Sequence, residues 1–279
     1  MPLDIIIGAQ WGDEGKGRIT DLLASQASIV ARYSGGDNAG HTVTVKGEIF
    51  KLHLVPSGII HDDTLCLIGD GVVINPTILL REMDELAERG IDVSPAQLQI
   101  SRGAHLITPA HIALDKAAEA RRGKGAIGTT LRGIGPAYTD KAARSGLRAG
   151  LLVNPEDLAE ALSEHITAKN EILTNIYGAE PLDATAVAAE YAQFAQRLRP
   201  YLVDGHVVVN EALADGKAVL AEGAQGTFLD LNHGTYPFVT SSHPTSGGAL
   251  VGLGVGPKQV RRVIGVAKAF TSRVGSGTF

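Results

Sequence analysis

A glycine-rich turn near the N-terminus carries residues that could bind phosphate and move a proton. Three isoleucines at 5–7 precede the segment Gly12-Asp13-Glu14-Gly15-Lys16-Gly17-Arg18, and a helix is predicted to start near Lys16. Glycines let successive backbone N–H groups turn toward an anion, and a lysine neutralises phosphate charge. The pattern therefore predicts a phosphate cradle. The alternative is a plain strand-to-helix turn with a surface lysine. A plain turn does not need three glycines, two acidic residues and a lysine, so the composition favours the cradle.

The same turn differs from an ordinary phosphate loop at two positions. A Walker loop ends in Gly-Lys-Ser/Thr, and its hydroxyl binds Mg²⁺, whereas Gly17 follows Lys16 here. In addition, Asp13 lies inside the turn, where its charge would repel a polyphosphate unless a metal ion or a proton-transfer role holds it there. Asp13 therefore predicts chemistry as well as binding.

A second polar segment, Gly35 to Thr42, contains a side chain that titrates near neutral pH. His41 can donate or accept a proton there, and the Asn38 amide suits a base edge or a phosphate. Taken alone, the segment is equally consistent with a β-turn that bears a surface histidine.

Two further segments add hydroxyl, guanidinium and amide groups. Residues 125–138 place Thr129 and Thr130 between glycines, and arginines follow at 132, 144 and 148. This composition favours a phosphate pocket over a mobile surface loop, which its length alone would also fit. In the fourth segment, Gln225 follows an apolar strand between small residues, so its amide could reach a ligand.

Composition restricts the class of protein. The chain has 279 residues, 44% of them hydrophobic, and a net charge of −5, which argues against a nucleic-acid surface. The only cysteine, Cys66, lies in an apolar run and is expected to be a buried, inert thiol. The first residues do not resemble a signal peptide, and no apolar run reaches the ~20 residues of a membrane span. A cytoplasmic enzyme without a membrane partner is expected.

Apolar runs and helical periodicities alternate along the chain. They predict an α/β fold: a mostly parallel central sheet flanked by helices, similar to P-loop NTPases, with ligands at the carboxyl ends of the strands. Helices are expected from Lys16, Pro76, Pro109 and Pro155, with a hairpin that turns at Lys46-Gly47. Strands are predicted at Val207–Asn210 and Ala218–Glu222. One domain, 1–279, is expected, with a helical subdomain at about 154–202.

The four segments together resemble the adenylosuccinate synthetase family. The signatures that match are Gln10-Trp11-Gly12-Asp13-Glu14-Gly15-Lys16-Gly17, Asn38-Ala39-Gly40-His41-Thr42, Ile127-Gly128-Thr129-Thr130, Arg132-Gly133-Ile134-Gly135-Pro136-Ala137-Tyr138, Glu222-Gly223-Ala224-Gln225-Gly226 and His233-Gly234-Thr235-Tyr236-Pro237. They occur in the order and at the spacing of the family, and the combination is highly specific.

The resemblance implies a ligase that joins IMP and L-aspartate at the expense of GTP, through 6-phosphoryl-IMP, in AMP biosynthesis. It implies that Asp13 removes the N1 proton of IMP and that His41, Lys16 and Gln225 are also catalytic. Mg²⁺ would be bound by Asp13 and the carbonyl of Gly40. A homodimer is implied, in which Arg144 reaches the partner's site.

The resemblance also implies two sets of binding residues. Those for GTP are Gly12, Asp13, Glu14, Gly15, Lys16, Gly17, Arg18, Gly40, His41 and Thr42. Those for IMP are Asp13, Glu14, Gly15, Lys16, Asn38, Ala39, Gly40, His41, Thr130, Arg144, Gln225 and Thr240.

The chain departs from the family near Arg273 to Phe279, where the family usually continues with an aspartate-binding loop and a guanine-reading motif. We therefore expect that the usual C-terminal part is lacking. The alternative to an active ligase is an impaired fragment that binds IMP or nucleotide. A generic GTPase switch is a third reading, which Gly17 and the absence of an Asn/Thr-Lys-x-Asp motif oppose.

Overall fold

The computed structural model of the chain describes residues 3–45, 48–273 and 277. Its strands are β1 (Leu3–Gly8), β2 (Ile29–Arg32), β3 (His41–Val45), β4 (Glu48–Leu52), β5 (Leu65–Ile68), β6 (Val73–Ile74), β7 (Leu98–Ser101), β8 (His105–Leu106), β9 (Leu202–Val203), β10 (Val219–Glu222) and β11 (Val260–Val266). Its helices are α1 (Lys16–Ala24), α2 (Pro76–Glu88), α3 (Pro109–Arg122), α4 (Ile134–Ala143), α5 (Pro155–Tyr177), α6 (Ala184–Leu198), α7 (Gly205–Ala214) and α8 (Ser246–Leu253).

A seven-stranded sheet forms the centre of the molecule, in the order β11-β1-β10-β2-β5-β7-β9. Each neighbouring pair in this sheet is parallel, which confirms the predicted α/β architecture. The inner strands are buried on both faces and read as continuous apolar runs, as parallel strands covered by helices do. The loops that follow β1, β2 and β10 therefore meet at one edge of the sheet.

Two small sheets lie beside the central one. Strands β3 and β4 pair antiparallel, which confirms the predicted hairpin, although its turn at Lys46 and Gly47 lies outside the described residues. The apolar run from Leu65 to Ile74 divides at Gly69–Gly71: β5 joins the central sheet, and β6 pairs with β8 instead.

The helix starts follow the local sequence signals. Asn75 and Asn154 each cap a helix whose first residue is proline, and each side chain accepts a backbone N–H. Helices α5 and α6 pack on each other, and their apolar residues join the core that also includes central strands. Within the described ranges, none of the helices combines the length and apolarity that crossing a bilayer requires.

The strand predicted at Val207–Asn210 is wrong, because these residues belong to helix α7. Its buried positions are Gly205, Val209, Ala212 and Leu213, which are spaced as one face of a helix, whereas Val207 is exposed. The three successive valines favour a strand locally, but the packing of this face on the core decides the structure. In the helical subdomain predicted at about 154–202, the last α-helix, α6, ends at Leu198.

Candidate active site

A cavity of about 470 Å³ lies where the loops after β1, β2 and β10 meet, within the usual range for small-molecule sites. Most of the site residues predicted from the sequence line it, and they come from distant parts of the chain: Gly12, Asp13, Gly15, Lys16, Gly17, Arg18, Asn38, Ala39, Gly40, His41, Thr42, Thr130, Gln225 and Thr240. Glu14 and Arg144 are the predicted residues that do not line this cavity.

The turn between β1 and α1 folds around residues with positive φ. Gly12 (φ 93°) and Gly15 (φ 85°) supply two of them, and Asp13 adopts φ 55°, which is uncommon for a residue with a side chain. Asp13 is exposed and lines the cavity beside the start of α1. Strain of this kind at a residue in a cavity is consistent with a functional role.

Glu14 lies buried beneath the same turn rather than in the cavity. Its Oε1 accepts the N–H groups of Gln10 at 3.1 Å and Gly12 at 3.0 Å, and its Oε2 lies 2.6 Å from Nζ of Lys16. Desolvation raises the pKa of Glu14, but the Lys16 ammonium and backbone N–H groups that include Gly12 outweigh it, so the pKa lies below its usual value. Glu14 therefore holds the turn and orients Lys16.

Gly17 explains why the turn lacks the hydroxyl of a Walker loop. A Cβ atom at this position would lie 2.9 Å from Cβ of His41, closer than side chains tolerate. Helix α1 can therefore approach the start of β3 only because residue 17 is glycine. The position that binds metal in other phosphate loops is used here to bring an imidazole into the cavity.

His41 is held by a buried carboxylate that we did not predict from the sequence as a site residue. Its Nδ1 forms an ion pair with Oε1 of Glu222, which ends β10 and is fully buried. Ser57 donates its N–H at 2.7 Å and its hydroxyl at 2.8 Å to the same carboxylate. Burial raises the pKa of Glu222, yet His41 and Ser57 outweigh it and hold the pKa below its usual value. The charged carboxylate leaves Nε2 of His41 as the ring nitrogen available to a ligand.

The loop after β2 is fixed by a buried arginine and a tyrosine. Arg32 donates to the carbonyls of Ser34 at 3.4 Å, of Gly36 at 2.7 Å and of His53. The hydroxyl of Tyr138 accepts the N–H of Gly35 at 2.9 Å. These contacts place the following residues, including Asn38 and Gly40, at the cavity.

Gln225 presents an unpaired polar atom at the cavity. It adopts φ 62°, and its Nε2 donates to Oδ1 of Asn38 at 3.3 Å. Its Oε1 is buried and has no hydrogen-bond partner among the described residues. A buried acceptor without a partner is costly, so this carbonyl oxygen suits a ligand that donates a hydrogen bond.

The remaining predicted residues divide into two groups. Thr130 and Thr240 line the cavity from the loops that precede α4 and α8. Arg144 is exposed, with φ 64°, at the C-terminal end of α4, and it does not reach this cavity. Two acidic residues that we did not predict, Asp115 and Glu119 on α3, contact the loop that carries Thr130. Their contacts depend on folding across the loop, so no local sequence pattern indicates them.

A buried group away from the cavity has the composition of a metal site. Side-chain atoms of His111, Asp140 and His165 lie within 4.8 Å of one another. However, Nδ1 of His111 accepts the N–H of Thr108 at 2.9 Å, and the ammonium of Lys169 lies 2.6 Å from Asp140. These partners occupy the donor atoms, and the lysine would repel a cation, so the group joins α3, α4 and α5 as a polar network.

The sequence matches known proteins along its whole length. A model of the adenylosuccinate synthetase family matches residues 5–279. The adenylosuccinate synthetase of Moorella thermoacetica is 57% identical over 279 residues, which are 100% of this chain and 65% of the relative. That of Heliobacterium modesticaldum is 54% identical over 275 residues, 99% of this chain and 64% of the relative. The chain thus spans 64–65% of the length of these curated relatives.

Solved structures share the fold of this chain. A fully ligated adenylosuccinate synthetase from Plasmodium falciparum matches with a TM-score of 0.93 and 37% identity, over 100% of this chain and 64% of that one. A succinoaminodeoxyadenylate synthetase of cyanophage S-2L, bound to dGMP and dATP, matches with a TM-score of 0.64 and 21% identity, over 95% of this chain and 63% of that one. Because its sequence identity is only 21%, this second match shows that the fold is shared and nothing more.

Proposed function

The chain belongs to the adenylosuccinate synthetase family, and on that premise we propose that it ligates IMP to L-aspartate with GTP, giving adenylosuccinate, GDP and phosphate. The observation that carries the proposal is the meeting of Asp13, Lys16, His41 and Gln225 in one cavity. A general base, two positively charged or proton-bearing groups and an unpaired amide oxygen are what phosphoryl transfer to a purine requires.

In the first step of the proposed reaction, the Asp13 carboxylate takes the N1 proton of IMP. The electron pair released places charge on the 6-oxygen, which attacks the γ-phosphorus of GTP. A new O6–P bond forms while the bond to the bridging oxygen of GDP breaks. The exposed position of Asp13 at the cavity supports this role, and its φ of 55° fixes the direction in which the carboxylate leaves the turn.

Lys16 and His41 stabilise the charge that moves during this transfer. The ammonium of Lys16 is buried and already oriented by Glu14. Because Glu222 faces Nδ1 of His41, that nitrogen carries the proton and Nε2 is presented to the phosphoryl group. Groups that are oriented before the ligand arrives cost little reorganisation in the transition state.

Mg²⁺ fits the donor set at this cavity. The Asp13 carboxylate has no hydrogen-bond or ion-pair partner among the described residues, and a Cβ atom at Gly40 would meet only open space. Asp13 and the carbonyl of Gly40 would hold the ion, since Mg²⁺ takes oxygen donors and completes its shell with phosphate oxygens and water. When bound, the ion would neutralise charge on the phosphates.

IMP binding would use the remaining predicted residues. Asn38, Thr130, Gln225 and Thr240 offer amides and hydroxyls to the base, ribose and phosphate. Arg144 lies outside its own cavity and exposed, which supports a homodimer in which it enters the site of the partner. In the second step, the amino nitrogen of L-aspartate bonds to C6 and loses a proton to water, while the C6–O6 bond breaks and the 6-phosphoryl group leaves with O6 as inorganic phosphate. A cytoplasmic location belongs to the same proposal.

A fragment that only binds nucleotide is less favoured, because the groups for phosphoryl transfer all lie in the cavity. The test is formation of GDP from GTP with Mg²⁺, with and without IMP. We expect GDP formation to depend on IMP and to be lost in Asp13→Asn, whereas Asp63→Asn, which removes an exposed carboxylate elsewhere, retains it. IMP-independent GDP formation, or normal turnover by Asp13→Asn, would contradict the proposal.

A further inference from the structure

Three side chains lie in line along one face of helix α3. His111, Asp115 and Glu119 are separated by four residues each, so they stand on successive turns of the helix. His111 joins α3 to Asp140 of α4, with 3.0 Å between Nε2 and Oδ2. The carboxylates of Asp115 and Glu119 contact the loop of residues 126–133, which connects α3 to α4.

Glu119 binds this loop through backbone N–H groups alone. Its Oε1 accepts the N–H of Ile127 at 3.2 Å, and its Oε2 accepts those of Gly128 at 2.8 Å and Thr129 at 3.3 Å. The positive φ of Gly128, 80°, lets these three successive groups converge on one carboxylate. Arg122 donates to Oε1 at 2.7 Å and fixes the carboxylate in turn.

Asp115 holds the same loop one turn earlier. Its Oδ1 accepts the hydroxyl of Thr129 at 2.8 Å, and its Oδ2 accepts the N–H of Gly133 at 2.9 Å. The side chain of Thr129 is therefore committed to α3. Thr130, the next residue, is exposed and lines the cavity, so it is the threonine left for a ligand.

Glu119 itself does not line the cavity. Its N–H partners are turned toward α3, so the carboxylate acts from behind the loop and does not occupy a place that a ligand in the cavity would take. Desolvation raises the pKa of Glu119, but Arg122 and the three N–H groups outweigh it and hold the pKa below its usual value. The side chain is therefore charged at neutral pH.

From this geometry we propose that Glu119 is a positioning residue, which fixes the 126–133 loop so that Thr130 faces the phosphate of the bound nucleoside monophosphate. This inference rests on the proposed function, because it assigns Thr130 to the phosphate of IMP. Glutamine at position 119 would keep the size of the side chain but set an NH₂ group against N–H donors. The loop would then lose its anchor at residues 127–129, while the contacts of Asp115 with Thr129 and Gly133 and the rest of the cavity stay intact.

The experiment compares IMP with inosine, which lacks the phosphate, by calorimetric titration of the wild-type protein, Glu119→Gln and the control Glu164→Gln. Glu164 is exposed on α5, and no hydrogen bond of its side chain is seen within the described ranges. We expect Glu119→Gln to weaken IMP binding about 10-fold or more, to leave inosine binding unchanged, and to speed amide hydrogen exchange at residues 127–129. Glu119→Asp, with a shorter carboxylate, should bind IMP with an affinity between those of the wild-type protein and Glu119→Gln.

The outcomes separate the two proposals. If the wild-type protein does not prefer IMP to inosine, the proposed function fails first. If the wild-type protein and Glu164→Gln both prefer IMP and Glu119→Gln does so equally, only the role of Glu119 is overturned. Tighter IMP binding by Glu119→Gln would also overturn it, because the carboxylate would then compete with the phosphate instead of positioning the loop.

Discussion

His41, at the start of β3, and Glu222, at the end of β10, form a buried ion pair beside the cavity, although residues 41 and 222 are 181 positions apart in sequence. The pair orients the imidazole before any ligand arrives. The ring nitrogen that faces Glu222 carries a proton, so the opposite nitrogen has a defined role toward the ligand. The site therefore includes a fully buried carboxylate that does not line the cavity.

Glu222→Gln should lower IMP-dependent GDP formation by about 100-fold or more, because His41 loses the charge that fixes its protonation and orientation. IMP binding measured by calorimetry should change little, since Glu222 lies behind His41 and outside the cavity. Glu211→Gln, at an exposed position of α7, is the matched control and should behave as wild type. Unchanged catalysis in Glu222→Gln would show that the pair has only a structural role.

Gly17→Ala should destabilise the protein by about 1–3 kcal/mol, because the added Cβ atom would lie 2.9 Å from Cβ of His41. It should also reduce GDP formation by displacing the imidazole. Glycine-to-alanine changes in helices usually stabilise, and Gly247→Ala in α8, where the nearest atom would be 3.9 Å away, should do so. Urea unfolding measures the free energy of unfolding of both variants. Equal stabilisation by the two variants would refute the close approach of α1 to His41.

Three buried histidines, His105, His111 and His165, make stability depend on pH, because burial lowers the pKa of each. Burial lowers the pKa of His105 and of His165 to about 4, from 6.5 in an exposed histidine. Between these values the unfolded chain binds protons that the folded one does not. The free energy of unfolding should therefore be at its full value above pH 6.5 and fall toward pH 4, at up to about 1.4 kcal/mol per pH unit for each histidine.

Urea unfolding at several pH values between 7 and 4.5 tests this dependence. His165→Gln should have a shallower slope of unfolding free energy against pH than wild type, whatever its absolute stability. His206→Gln, which changes an exposed histidine, should keep the slope of the wild-type protein. If His165→Gln has the same slope of unfolding free energy against pH as wild type, then His165 is not the buried, neutral histidine that we infer.

Arg144 should act in the site of a partner copy. Asp13→Asn and Arg144→Ala should each lack IMP-dependent GDP formation, because each removes one group from every site. A mixture of the two proteins, allowed to exchange subunits, should recover activity in hybrid dimers, where one site has Asp13 from one copy and Arg144 from the other. Loss of activity in the mixture as well as in both variants would place Arg144 in its own site or outside catalysis.

Local sequence signals account for the loops of the site and for most helices. Glycine, charge and amide residues cluster in short segments after strands, and in a parallel sheet these segments meet at one edge. Asn154 followed by Pro155 marks a helix start for a reason contained in those residues alone. The sequence therefore indicated the cavity and most of the residues that line it.

The features that the sequence did not reveal depend on packing between distant segments. The valines at 207–209 favour a strand locally but form a helix, because the core buries only one face of the segment. Glu14 belongs to the phosphate turn by sequence, but its burial against Lys16 removes it from the cavity. The contacts of Glu119 cross a loop, so the spacing of residues could not reveal them.

Positional isotope exchange tests the central claim, which is that Asp13 enables transfer of the γ-phosphoryl group of GTP to the 6-oxygen of IMP. GTP carries ¹⁸O in the β–γ bridge and is incubated with Mg²⁺ and IMP in the absence of aspartate. We predict that the label moves to non-bridging oxygens of the β-phosphate with the wild-type protein, only when IMP is present. In Asp13→Asn the rate should be below about 1% of wild type. Absence of exchange in a wild-type protein that binds both nucleotides, or an equal rate in Asp13→Asn, would contradict the account.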